Sequence, residues 1–181
     1  MNAQEIMQAE ADYVLQTYRR PEVIFTHGEG AYLYDSDGKK YLDFTSGIAV
    51  TSLGHSHADW VTAVSQQATQ LVHVSNLYHT APQALLAKKL VEHSFADRVY
   101  FCNSGAEANE AALKFARKWA KMQNDASELD ADSPKTNIIS FSGGFHGRTI
   151  GVLSTTYKEK YRAPFGPLMP GVTFLPFNDV A

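Results

Sequence analysis

A short apolar segment that runs through a glycine turn into a long helix constrains this chain more than any other feature. Residues 98–102 combine aromatic and β-branched side chains and predict a strand. Residues 106–122 predict a helix with small side chains at helical spacing, which would let it lie close to a sheet. The residues on that face are Ala108, Ala111, Ala112, Phe115, Ala116 and Trp119. This order predicts an α/β layered fold.

The flanking segments support the same fold class. We predict helices over residues 4–18, 58–72 and 80–93, a hairpin with arms at 31–34 and 39–44, a strand over 136–141, and loops over 45–56 and 124–136. One face of the helix at 58–72 should carry Trp60, Val61, Val64, Ala68 and Leu71, and in the helix at 80–93 the inward-facing residues should be Leu85, Leu86, Leu90 and Val91. Helices between strands indicate a mostly parallel sheet.

Composition excludes several classes of protein. The 181 residues carry a net charge of −3 without a long basic run, which argues against nucleic-acid binding. No apolar stretch approaches the length of a membrane span, and residues 1–20 lack the apolar core of a secretory signal. One cysteine, Cys102, cannot form a disulfide within the chain. We therefore expect a cytoplasmic protein.

The turn at residues 103–105 has two interpretations. The first N–H groups of a helix lack intrahelical acceptors and carry partial positive charge, so Ser104 and Gly105 could bind a phosphate. Ser104 could equally be an ordinary helix cap, with Gly105 making the turn. The turn does not contain the dinucleotide-binding pattern of three glycines.

A second glycine-rich loop, residues 142–149, follows the strand predicted at 136–141. Ligands of open α/β sheets bind beyond the carboxyl ends of strands, so both loops could face one crevice. Phe145 is suited to stacking on a flat ring, and Arg148 to binding a carboxylate. A buried phenylalanine and a surface ion pair are the structural alternatives.

The order of motifs along nearly the whole chain resembles the class III aminotransferases, which depend on pyridoxal 5′-phosphate (PLP). The matching segments are GEG at 28–30, YD at 34–35, DF at 43–44, GIAV at 47–50, LGH at 53–55, SNLY at 75–78, FCNSGAEANE at 101–110 and FHGRT at 145–149. The resemblance implies a fold-type I transferase, with a large α/β domain and a smaller domain. Residues 1–54 would then begin the small domain, and residues 55–181 the large PLP-binding domain.

The resemblance also implies roles for particular residues. Ser104, Gly105 and Ala106 would bind the cofactor phosphate, Phe145 would stack on the pyridine ring with His146 beside it, and Arg148 would bind the substrate carboxylate. Ile48, Asn76 and Tyr78 would lie near the substrate or a partner subunit of a homodimer. Glu107 would be a helix-start residue that favours the helix dipole.

The implied reaction is transamination, and the acylornithine branch of the family fits best. An amino group would pass from N2-acetylornithine to 2-oxoglutarate in arginine biosynthesis, with ornithine, succinylornithine, succinyldiaminopimelate and 4-aminobutyrate as alternative donors. The family's catalytic lysine, which binds the cofactor covalently, would lie downstream, as would the aspartate that pairs with its ring nitrogen. Lys114, Lys158 and Lys160 do not match that lysine's motif. A chain of this extent alone should be inactive, and a non-catalytic binding or dimerisation remnant is the rival hypothesis.

Other polar residues have simpler explanations. His55 and His57 invite a metal site, but no carboxylate or cysteine accompanies them at zinc-type spacing. Cys102, at a strand end, fits a small buried side chain better than a nucleophile. Asp35 and Asp37 bracket a turn, which accounts for both.

Overall fold

The structure, a computed structural model, describes residues 1–124 and 136–179. The chain divides into two compact units, Met1–His79 and Thr80–Ala181. This division falls later than the domain boundary predicted after Gly54, and the assignment of residues 55–79 to the large domain stays a prediction. The loop predicted over residues 124–136 lies almost wholly outside the described residues.

The first unit begins with helix α1, Ala3–Tyr13. Asn2 and Glu5 form a reciprocal capping box at its start, which satisfies two backbone N–H groups. The helix ends five residues before the predicted end at residue 18. Val14 is already extended, and the side-chain amide of Gln16 donates to the carbonyl oxygens of Glu10 and Val14 at 2.8 and 2.7 Å. This side chain satisfies carbonyl groups that a longer helix would have used.

A three-stranded antiparallel sheet follows, with β1 (Phe25–Glu29), β2 (Tyr32–Asp35) and β3 (Lys40–Leu42) in that order. The hairpin of β2 and β3 confirms the prediction, whereas β1 was not predicted. The Asp35 carboxylate holds the turn by accepting the N–H groups of Asp37 and Lys39 and the Tyr41 hydroxyl, the last at 2.7 Å. The Tyr41 hydroxyl is the main cause that lowers the pKa of Asp35, so this aspartate has a structural role.

The rest of this unit is a tight turn, α2 (Ser46–Ala49), and a helix, α3 (Ala58–Gln70). The apolar residues that the sequence places on one face of this helix, Trp60, Val61, Val64, Ala68 and Leu71, are all exposed. In the described part of the chain, no element of this unit packs extensively against α3. The apolar face of α3 is therefore present, but the described residues provide no element that covers it.

The second unit contains an α/β layer. Its elements are α4 (Ala81–Glu92), α5 (Gly105–Asn124), β4 (Ile138–Phe141), α6 (Ile150–Thr155), α7 (Glu159–Arg162), a 3-10 turn (Ala163–Phe165) and β5 (Val172–Leu175). Strands β4 and β5 pair in parallel, with Ile138 opposite Val172 and Phe141 opposite Leu175. The predictions for α4, α5 and β4 are confirmed, and Thr80 is the N-cap residue of α4. Helices α6 and α7 and strand β5 were not predicted.

Two predictions in the second unit are wrong. Residues 98–102 join no strand among the described residues, although Tyr100 packs edge-on against Phe115 of α5. A strand requires a hydrogen-bonded neighbour, and the described residues supply none for this segment. The inward face predicted for α4 is also exposed, with Val91 half-buried and Leu85, Leu86 and Leu90 exposed.

The small core of the second unit surrounds α6. Val152 and Leu153 are buried, and the buried hydroxyl of Ser140 in β4 donates to the carbonyl oxygen of Thr155 at 2.7 Å. A pocket of about 290 Å³ is lined by residues of α5 and β4, among them Ala112 and Ala116 of the alanine-rich face. Within residues 1–124 and 136–179, no helix is both long and apolar enough to cross a membrane.

Candidate functional site

The start of α5 lies at the turn where the sequence predicts phosphate binding. The N–H groups of Gly105 and Ala106 lie in the first turn, where a helix offers them no acceptor. A methyl group added at Gly105 would meet no atom within 4 Å, so a ligand can approach the backbone there. These donors and this open space suit a phosphate group.

Ser104 and Glu107 form a reciprocal pair at this helix start. The Ser104 hydroxyl donates to Oε2 of Glu107 at 3.0 Å, and the Glu107 N–H donates to the same hydroxyl oxygen at 3.2 Å. Asn103 and then Ser104 lower the pKa of the Glu107 carboxyl through side-chain hydrogen bonds. Ser104 therefore caps the helix, as one of the two interpretations predicts, and its hydroxyl lies beside the N–H groups of the first turn. A bound anion would compete with Glu107 for this hydroxyl.

The second loop leaves β4 and presents Phe145 and Arg148. The Phe145 side chain is 61% exposed, so it is not the buried core residue that the structural alternative requires. The Arg148 guanidinium lies 4.0 Å from the ring centroid of Tyr161 and 5.6 Å from that of Phe145. The ion pairs among the described residues do not include Arg148, so its fork is available to a carboxylate.

His146 is held by α6. Its Nδ1 lies 3.0 Å from the carbonyl oxygen of Thr155, which can only accept, so Nδ1 carries the proton. Its backbone N–H donates to the Thr156 hydroxyl at 3.1 Å. These bonds fix the ring and the backbone next to Phe145.

The helix start and the second loop are direct neighbours in the second unit. A methyl group added at Gly147 would lie 2.8 Å from the Ala106 side chain, and the backbone of Gly147 has a φ of 132° that favours glycine. The Asn109 side-chain amide donates to the carbonyl oxygen of His146 at 2.8 Å. The helix start, with Ser104, Gly105 and Ala106, therefore contacts the loop that carries Phe145, His146 and Arg148.

The other predicted site residues, Ile48, Asn76 and Tyr78, lie in the first unit and are exposed. Ile48 is 87% exposed with a φ of 62°, a conformation that is rare for a β-branched residue and costs about 1–3 kcal/mol. Strained residues concentrate at functional sites, which favours a functional role for Ile48. Asn76 and Tyr78 have no such distinguishing geometry.

The turn that carries Ile48 is anchored by Asp43. Its Oδ1 accepts hydrogen bonds from the N–H groups of Thr45 and Ser46 at 2.9 Å, and its Oδ2 accepts one from Nε2 of His55 at 2.8 Å. His55, then the Ser46 N–H, lower the pKa of Asp43 to about 2. His55 thus hydrogen-bonds a carboxylate, and no cluster of three or more metal-ligating side chains occurs in residues 1–124 and 136–179.

Several residues of this site were missed from the sequence. Asn109 and Glu110 contact the second loop across 37 to 42 positions of sequence, and Tyr161 supplies the ring beneath Arg148. No periodicity or spacing links such distant partners. The motif around Ser104 was the available signal, because it already includes Asn109 and Glu110.

Comparison with known proteins gives the same family from sequence and from structure. Residues 13–181 match the family described as Aminotransferase class-III. The mitochondrial acetylornithine aminotransferase of Alnus glutinosa is 51% identical over 178 residues, which cover 98% of this chain and 39% of that protein. The acetylornithine aminotransferase of Archaeoglobus fulgidus is 47% identical, over 96% of this chain and 43% of that protein.

Solved structures show the same fold. The ornithine aminotransferase of Toxoplasma gondii superimposes with a TM-score of 0.88 at 31% identity, over 99% of this chain and 41% of that one. The N-acetylornithine aminotransferase of Stenotrophomonas maltophilia gives a TM-score of 0.72 at 37% identity, over 96% of this chain and 38% of that one. The chain thus spans about two fifths of the length of the relatives that it matches, and its fold is that of fold-type I PLP-dependent transferases.

Proposed function

Because this chain belongs to the class-III aminotransferase family, whose members depend on PLP, we propose that the protein is a PLP-dependent aminotransferase. The observation that carries the proposal is the contact between the start of α5 and the second loop. This contact places the unbonded N–H groups of the helix start close to the loop that carries an exposed aromatic ring. An anionic group on a flat aromatic ring, as in PLP, requires these two features together.

Each residue has a separate task in this proposal. The Ser104 hydroxyl and the N–H groups of Gly105 and Ala106 bind the cofactor phosphate, while Phe145 covers one face of the pyridine ring. His146 holds the loop backbone in place through Thr155 and Thr156. When bound, PLP supplies an electron sink for cleavage of a bond at the amino-bearing carbon.

Arg148 binds the substrate carboxylate. Its guanidinium is stacked on Tyr161, which restricts the side chain and leaves the planar edge free for two parallel hydrogen bonds. Ile48, Asn76 and Tyr78 contribute to the substrate side or to a partner subunit. The strained backbone at Ile48 supports this role for the first of them.

The proposed donor is N2-acetylornithine and the proposed acceptor 2-oxoglutarate, which would place the reaction in arginine biosynthesis. The basis is the acetylornithine name of relatives that are 47–51% identical. Ornithine is the alternative donor, since a structural neighbour with that name superimposes well. Steady-state rates with the two donors at equal concentration distinguish them.

The proposed assembly is a homodimer in the cytoplasm. The large exposed apolar faces of α3 and α4 are suited to burial against further protein. Cys102 is exposed, contrary to the buried side chain that the sequence predicted, and its free thiol favours a reducing compartment. Sedimentation velocity and cell fractionation test these two points.

Replacement of Arg148 by alanine in the complete enzyme tests the site. We expect the donor KM to rise tenfold or more, because a charge-assisted hydrogen bond contributes about 1.5–3 kcal/mol. Lys160→Ala is the matched control, since its ammonium lies 5.4 Å from the same Tyr161 ring. Equal KM values in Arg148→Ala and Lys160→Ala would contradict the carboxylate role, and absence of PLP from the wild-type enzyme would contradict the function itself.

A further inference from the structure

Glu110 of α5 makes two hydrogen bonds with the start of α6, and one of them caps the first turn of that helix. It lies on α5 just beyond the helix start, and its Oε1 accepts the Thr149 hydroxyl at 2.6 Å and the Val152 N–H at 3.2 Å. The ion pairs formed by the described residues do not include it. A half-buried carboxylate without a cation depends on these hydrogen bonds for its solvation.

The carboxylate also fits closely against the backbone of α6. A methyl group added at Gly151 would lie 2.7 Å from Oε1 and 2.8 Å from Cδ of Glu110. Glycine at 151 leaves room for the carboxylate, and a displacement of α6 relative to α5 would break its hydrogen bonds to Thr149 and Val152. Glu110 therefore fixes the far end of the second loop to α5.

The preceding residue, Asn109, holds the middle of the loop. Asn109 donates to the carbonyl oxygen of His146 at 2.8 Å, so two adjacent residues of α5 hold the loop on both sides of Arg148. The Phe145 side chain is mostly exposed. Among the described residues, the guanidinium of Arg148 approaches its ring, at 5.6 Å from the ring centroid. The position of this ring thus depends on the loop backbone, which is held by Asn109 and Glu110 of α5 and by the bonds of His146 to the end of α6.

From this geometry we infer that Glu110 is a positioning residue that sets the separation between the anion-binding start of α5 and the ring of Phe145. The inference rests on the proposed function, since that separation matters only for a ligand that carries both a phosphate and a flat ring. Such a ligand should lose affinity when Glu110 is removed. Inorganic phosphate, which needs the helix start alone, should not.

The test uses the complete enzyme with PLP removed, and compares Glu110→Ala, Glu110→Gln and Ser154→Ala. Ser154→Ala is the matched control, because its hydroxyl also bonds within and beside α6, donating to Ile150 and accepting from Met169, but does not contact the loop. The measurements are the Kd of PLP, the inhibition constant of inorganic phosphate as a competitor of PLP, and the visible circular dichroism of bound PLP.

We expect Glu110→Ala to raise the Kd of PLP by about tenfold or more and to change the dichroism of bound PLP. The reason is that a displacement of the loop by about 1 Å would misplace Phe145, and misplacements of this size have effects of this order. The phosphate constant should stay within about twofold, and Glu110→Gln, which keeps an acceptor oxygen, should restore most of the PLP affinity. Ser154→Ala should lower Tm without either change.

Three outcomes would overturn the inference. PLP affinity and dichroism in Glu110→Ala that match those of Ser154→Ala would reduce Glu110 to a stability residue. Equal losses of PLP and phosphate affinity would show that Glu110 supports the helix start itself rather than the separation. Wild-type enzyme that binds no PLP would refute the proposed function, and the inference with it.

Discussion

At the scale of single residues, the Asp43 carboxylate carries the clearest electrostatic signature in the first unit. Three N–H donors, from Thr45, Ser46 and His55, converge on its two oxygens. These bonds favour the charged form, and they hold the pKa of Asp43 at about 2. Because the turn with Ile48 begins immediately after these donors, the charge of Asp43 supports a strained conformation.

The sign of the resulting pH dependence follows from this lowered pKa. An unfolded aspartate titrates near pH 3.9, so Asp43 stabilises the fold fully above about pH 4 and loses this contribution as the pH falls towards 2. We expect Asp43→Asn to lower the free energy of unfolding at pH 6, and the difference from wild type to shrink between pH 4 and pH 3. Urea unfolding of the wild-type and variant complete enzymes at each pH measures this difference in the free energy of unfolding.

The control for this prediction is Ser56→Ala. It removes a neighbouring hydrogen bond, from the Ser56 hydroxyl to the carbonyl oxygen of Gly28 at 2.8 Å, that involves no titratable group. Its effect on unfolding should be the same at pH 6 and pH 3. If the effect of Asp43→Asn were also constant across this range, the assigned role of the Asp43 charge would be wrong.

The helix start at Ser104 and Gly105 could be predicted from the sequence, because its chemistry is local. Ser104 and Gly105 stand at the start of a long helix, and the free N–H groups there follow from helix geometry alone. The partners of Glu110 and Arg148 depend instead on how α6 and α7 fold back, and Tyr161 under Arg148 is a case in point. Such contacts are tertiary, so no local pattern encodes them.

At the scale of elements, the contact between α5 and the second loop depends on one residue without a side chain. Gly147 lies between Ala106 of α5 and Val152 of α6, and an added methyl group would be 2.8 and 2.7 Å from their side-chain atoms. Its φ of 132° is a further reason for glycine there. The approach of the two elements is therefore limited by the size of residue 147.

Gly147→Ala should destabilise the complete enzyme by about 1–3 kcal/mol through overpacking, in addition to the cost of its backbone conformation. Gly143→Ala isolates the backbone cost, because Gly143 also has positive φ, 79°, but an added methyl group there meets nothing within 4 Å. Chemical denaturation of both variants without PLP measures the difference. Equal destabilisation would mean that crowding at residue 147 has no role.

The elements that were predicted share strong internal signals, and those that were missed lack them. Helix α5 has a long run of helix-forming residues, and the hairpin of β2 and β3 has an Asp-Gly turn. Helix α6 has six residues, too few for a periodic pattern, and strand β5 is recognisable mainly by its pairing with β4. Residues 98–102 have the composition of a strand but no neighbour among the described residues.

At the scale of the whole molecule, the exposed apolar surface is far larger than the core. Ala120, Val152 and Leu153 are the buried apolar residues of the described chain, while large side chains such as Trp60, Leu85 and Trp119 are exposed. The relatives are more than twice as long, since the chain covers 39% and 43% of two of them. Apolar faces of this extent are sites of contact with further protein.

We therefore expect the 181-residue chain, produced alone, to be marginally stable. Exposed apolar faces and the open edges of a two-stranded parallel sheet should promote association and binding of the dye ANS. Calorimetry should give a broad transition of low enthalpy, because little apolar area is buried per residue. The complete enzyme, measured in parallel, should melt sharply and bind little dye. A monodisperse 181-residue monomer with a sharp transition would mean that its few buried side chains suffice for a cooperative fold, and the exposed faces would then need another explanation.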